Sequence, residues 1–135
     1  ADATFGQRGV FGMARGAAEE GLARVQAEIE KEKAEALGRA GGRLEGAIRA
    51  LRLIREEIEA LEAGRASPAD PLEPAEAAAR RRAEYAAQRR QARLYHYYLI
   101  VQREALGLRK HGDVDRLYPV PGPLARSEGD RREAP

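Results

Sequence analysis

The chain has 135 residues, enough for one domain, and 34% of them are charged in nearly balanced numbers, leaving a formal net charge of +2. Cysteine, tryptophan and asparagine are absent, which excludes disulfide and thiolate chemistry. No apolar run approaches the roughly 20 residues of a membrane-spanning helix, and no leader pattern of basic start and apolar core is present.

These features predict a cytoplasmic setting with no membrane partner, and Ala1 fits removal of an initiator methionine. Abundant Ala, Glu, Arg and Leu with few β-branched residues is a helix-forming composition, and no alternating strand pattern occurs. The expected fold class is all-α: two long antiparallel helices, a flexible N-terminal arm and a Pro/Gly-rich tail.

Residues 1–16 contain four glycines and no periodicity, which predicts a pliable arm. Phe5 and Phe11 give that arm apolar anchors suited to secondary contacts with a partner. From 17 to 63 the pattern is helical, and from Leu44 through Leu51, Ile54, Ile58 and Leu61 it settles into heptads typical of a coiled-coil seam. Gly38, Gly41, Gly42 and Gly46 weaken this stretch by roughly 1 kcal/mol each relative to alanine. Either the chain breaks at Gly41-Gly42 or the helix runs on. The unbroken 3- and 4-residue stepping, without proline or a capping residue, favours continuity.

Residues 64–74 hold three prolines and read as a connector, with Gly64 as a C-cap and Pro74 in the first turn of a second helix. That helix is expected over 74–111, stopped by Lys110, His111 and Gly112. Asp113 can cap one further turn through Leu117, and Pro119, Pro121 and Pro123 exclude anything longer, leaving 119–135 as a tail.

A connector of about ten residues implies antiparallel packing, with residue i facing roughly residue 138 − i. Opposite charges then meet: Glu56 and Glu57 with Arg81 and Arg82, Glu45 with Arg93, Glu35 with Arg103, and Glu28 and Glu30 with Arg109 and Lys110. The first helix (17–63) has eight basic and eleven acidic residues, the second (74–111) nine and three. Arg39, Arg43, Arg49, Arg52, Arg89 and Arg90 are left without partners and form a candidate belt for phosphates, RNA or an acidic surface. A solvated polar face explains the same residues, and a net charge of +2 is low for a nucleic-acid binder.

Catalytic chemistry is not predicted. Ser67 and Ser127 lie in the connector and the tail, outside any nucleophile elbow. The Glu-x-x-His pattern of di-iron bundles fails, because Arg93 and Leu108 stand three residues before His96 and His111. His96 reads as packed or hydrogen-bonded rather than metal-bound, and His111 as a cation at a helix C-terminus. Gly-rich phosphate loops are missing. No catalytic, metal or cofactor site is expected, and the chain does not read as an enzyme.

The segment 94–112, LYHYYLIVQREALGLRKHG, is apolar on nearly every side. At about 100° per residue its tyrosines and aliphatics cannot share one face, so it needs more cover than one neighbouring helix gives. Leu94, Tyr97, Tyr98, Val101, Ala105 and Leu108 fall in step and are expected in the hairpin core. Tyr95, Leu99, Ile100, Gln102 and Leu106 then face outward as the candidate partner interface, each apolar side chain contributing roughly 1.5–3 kcal/mol on full burial.

Two stretches, EIEKEKAEALGRAGGRLEGAIRAL and VQREALGLRKHGDVDRLYPVPGPLAR, resemble a family of short bacterial helical proteins of uncharacterised function found mainly in alphaproteobacteria. The resemblance implies a helical hairpin in a bacterial cytoplasm and carries over no catalytic residue. The expected function is a non-enzymatic accessory or adaptor subunit that docks on a larger protein or forms a homo-oligomer. The alternative is a nucleic-acid or ribosome-associated factor using the arginine belt.

Overall fold

A computed structural model describes residues 2–69 and 72–125, with backbone alone for 2–13. It contains three helices and, among the described residues, no strand: α1 (Asp2–Glu62), α2 (Pro74–Ala105) and α3 (Gly112–Leu117). The bounds of α1 take in residues 2–16, which composition placed outside the helix as an arm. The chain divides into two compact units, Ala1–Gly38 and Arg39–Pro135. In the first, Leu22, Val25 and Ile29 form an exposed apolar stripe along α1.

The second unit is the hairpin. Helical structure continues through Gly41-Gly42, as the unbroken stepping predicted. The heptad stripe of Leu44, Leu51, Ile54, Ile58 and Leu61 is buried, together with Ala40, Ala47 and Ile48. Against it α2 sets Ala78, Tyr85, Ala92 and Leu99, one residue per heptad. Small and large side chains alternate there, so the big residues of α1 fit over the two alanines while Tyr85 fills the centre. The continuous cluster is Ala47, Leu51, Ile54, Ile58, Tyr85 and Ala92, with Tyr95, Val120 and Leu124 packed on it.

Both long helices end on a glycine in the left-handed region, Gly64 at φ 71° and Gly107 at φ 85°. The Arg65 N–H donates to the Ala60 carbonyl at 2.9 Å and the Gly64 N–H to the Leu61 carbonyl at 3.2 Å. The Leu108 N–H to the Arg103 carbonyl and the Gly107 N–H to the Glu104 carbonyl repeat the pattern, both at 2.9 Å. These paired bonds satisfy last-turn carbonyls and need a residue free of a Cβ clash. The second helix therefore stops at Ala105, not at His111. Gly107 is the stop signal, and His111 stands at the N-terminal cap position of α3 rather than at a helix C-terminus.

Charge at the connected ends fixes the pairing direction. The last turns of α1 carry Glu56, Glu57, Glu59 and Glu62 and no basic residue in the final turn, while α2 has Glu76 in its first turn and Arg80, Arg81 and Arg82 in the turns that follow. The glutamates of the final turn oppose the dipole of α1. Side by side the two clusters compensate: Arg81 meets Glu57 at 2.7 Å and Arg82 meets Glu62 at 2.6 Å. The hydrogen bond to Glu84 holds the Arg81 guanidinium above its ordinary pKa, partial burial opposes this, and the charges of Glu57 and Glu84 add to it. The predicted Arg81–Glu57 meeting is thus formed, whereas Glu45 turns to Arg49 on its own helix at 3.4 Å.

The helical glycines differ in surroundings. A Cβ at Gly41 would lie 2.7 Å from the Tyr118 hydroxyl oxygen, whereas a Cβ at Gly42 or Gly46 meets nothing within 4 Å. Gly42→Ala and Gly46→Ala are each expected to raise stability by roughly 0.5–1 kcal/mol in urea denaturation. Gly41→Ala should fall short of that gain, because the Tyr118 ring must move.

Candidate interaction surface

The orientation of α2 decides which side chains are available. Leu99 is only 3% exposed, while Leu94, Tyr97, Tyr98 and Val101 are 42%, 61%, 48% and 43% exposed. At about 100° per residue, Leu94, Tyr98 and Val101 lie on the side opposite Ala92 and Leu99. The expected assignment is reversed. Leu94, Tyr97, Tyr98 and Val101 are the outward face, as is Leu108 just beyond the helix, and Leu99 belongs to the core. Tyr95, Ile100, Gln102 and Leu106 are half-buried at the flanks, and the Gln102 Oε1 is buried without a hydrogen-bond partner. Phe5 and Phe11 lie outside the residues whose side chains are described.

The physical reason for the reversal is the third element of the core. From α3 onward the chain lies back on the hairpin: Val114 is buried, and the His96 Nε2 meets the Asp115 Oδ1 at 2.8 Å. The Tyr118 hydroxyl sits over Gly41 of α1. Residues 119–125 then run as a non-helical strap across both helices. Pro119, Pro121 and Pro123 have no N–H, so the strap presents chiefly acceptors. The hairpin meets it with donors: the Tyr85 hydroxyl to the Gly122 carbonyl at 2.7 Å, Arg89 Nε to the Pro121 carbonyl at 3.0 Å, and Arg82 to the Ala125 carbonyl at 3.0 Å. Arg55 also reaches the Gly122 carbonyl at 3.5 Å and lies over the Tyr85 ring, 5.6 Å from its centroid. Val120 and Leu124 supply the apolar cover that α2 was expected to give with its large residues.

The strap also reduces the arginine belt. Arg89 is committed to the Pro121 carbonyl, and Arg49 pairs with Glu45. Arg39, Arg43, Arg52 and Arg90 remain on the exposed surface. Among the described residues, no group of three or more acidic or histidine side chains is gathered where it could hold a metal ion. No helix among them is long and apolar enough to cross a membrane.

What α2 presents outward is therefore a short, dense apolar face. The rings of Tyr97 and Tyr98 stand 6.0 Å apart, tilted by 53°. Tyr97 borders an open cleft of about 640 Å³ with Arg93, His96, Ile100 and Asp115. A sequence signal for the true phase exists in Tyr85, which stands seven residues from Ala92 and fourteen from Leu99. Tyr85 is the lone aromatic of the Ala/Arg-rich stretch 74–94, and so that stretch's strongest claim on the core. Comparison with known proteins finds no matching family model, no matching curated protein and no matching solved structure.

Tyr85→Phe removes one hydrogen bond to a part-buried carbonyl and is expected to cost about 1 kcal/mol. Opening of the strap should rise roughly fivefold in consequence. Chymotrypsin cleavage after Leu124, timed by mass spectrometry, checks this.

Proposed function

We propose that the chain is a non-enzymatic accessory or adaptor subunit whose working surface is the outward face of the apolar end of α2. The observation that supports this is the exposure of Leu94, Tyr97, Tyr98 and Val101 together on one side of a helix whose other side is already packed. Single exposed apolar residues are ordinary, but four on adjacent turns form a contiguous patch of the kind that marks association surfaces. Tyrosine suits the role, since it buries a rigid ring and keeps a polar tip for the rim of the contact. The fold has no internal use for these residues. Neither their size nor their polarity is needed to hold α2 on α1, which Ala78, Tyr85, Ala92 and Leu99 already do.

Val101→Glu tests the reading. An exposed site tolerates the change within about 0.5 kcal/mol of fold stability. A docked site loses roughly 1.5–3 kcal/mol of apolar burial, at least about tenfold in affinity. The full chain, purified natively with whatever it holds, should retain its helicity and melting temperature as Val101→Glu while losing its associated protein or second copy. Unchanged association in the variant overturns the proposal.

A further inference from the structure

We infer that the occupant of the outward α2 face is a second copy of this chain, contributing the stripe of Leu22, Val25 and Ile29 from the first part of its α1. This rests on the functional reading above and names its partner. Among the described residues, two apolar helix faces stand exposed. One is Leu94, Tyr97, Tyr98 and Val101 on α2; the other is Leu22, Val25 and Ile29 on α1, all three of them exposed. Both follow 3- and 4-residue steps, the spacing with which one helix seats its ridges in another.

Charge selects the pairing. Between residues 17 and 37 six residues are acidic and three basic; Glu28 and Glu32 run along one edge of the stripe and Glu19 along the other, while Lys33, one turn beyond Ile29, pairs with Glu30 at 3.9 Å. The remaining part of α1, from Arg39 to Glu62, holds five of each sign, which confines the acidic excess of the helix to the segment carrying the exposed stripe. By contrast, α2 carries seven basic and three acidic residues, with Arg93 one turn and Arg90 two turns before Tyr97. An α2 face docked on the α2 face of another copy brings two net-basic helices together and offers these arginines no excess of carboxylates. Docked on the acidic stripe, they meet carboxylates. Because every chain carries both faces, the contact needs no other protein.

The chain has no cysteine, so single thiols can be placed cleanly. Full-length Val25→Cys and Val101→Cys chains are mixed and oxidised, with each variant alone as control, and the mass of the unmodified chain is measured by light scattering. The expected results are a mass twice 14.8 kDa and cross-linking in the mixture several-fold above either control. Ile29→Glu and Val101→Glu should each return the mass to that of one chain. Cross-linking of Val101→Cys alone at the level of the mixture overturns α1 as the occupant while leaving α2 as the working surface. A single-chain mass at the highest attainable concentration, with Val101→Glu still abolishing association with a different protein, overturns the second copy alone. A single-chain mass with no effect of Val101→Glu on any association overturns both readings.

Discussion

A buried tyrosine hydroxyl organises the hairpin. Tyr85 lies within the cluster formed with Leu51, Ile54 and Ile58, where its ring is fully enclosed. A hydroxyl enclosed without a partner costs on the order of 1–3 kcal/mol, so an acceptor must be brought to it. α1 and α2 spend their carbonyls on their own helices. The acceptor comes from the strap, at the Gly122 carbonyl. Once that point is fixed, Val120 and Leu124 are set over the groove, Arg89 and Arg82 find carbonyls on either side, and α3 is drawn between His96 and Gly41. With the groove covered by the strap, Leu94, Tyr97, Tyr98 and Val101 are not needed inside.

The charges serve the same arrangement at the connected end. Each ion pair there is partly exposed and contributes only a few tenths to about 1 kcal/mol by itself. Their larger effect is on specificity. Glutamates at the C-terminal end of α1 are unfavourable in isolation, and the arginines in the early turns of α2 offset them. A hairpin in the wrong register loses this compensation.

Much of the scaffold is legible in the sequence. The heptads from Leu44 to Leu61 dictate the buried stripe of α1, and Gly64 with the prolines after it dictates the turn. The continuity of α1 through Gly41-Gly42 follows from unbroken phase. The rotation of α2 was harder to read. Counting large apolar residues assigns its richest stripe to the core, yet two of the four inner positions are Ala78 and Ala92, which carry almost no hydropathy signal. Small residues win there because they let α2 approach the leucines and isoleucines of α1 closely. The end of α2 is obscured for a related reason: Lys110, His111 and Gly112 form a conventional stop, but Gly107 takes up the left-handed conformation first. The strap was read as a mere tail because prolines exclude helix. They do not exclude packing, and a segment poor in donors suits a groove lined by Arg and Tyr.

One rotation of α2 decides what the surface offers: it puts Leu99 inside and Tyr98 and Val101 outside. Thiol-labelling rates of Tyr98→Cys, Leu99→Cys and Val101→Cys, measured as a function of protein concentration, test it most directly. The account predicts rapid labelling at positions 98 and 101 in dilute protein, slowing as concentration rises and the face is covered, with position 99 slow throughout. Rapid labelling at position 99, or slow labelling at 98 and 101 even at the lowest concentration, would contradict it.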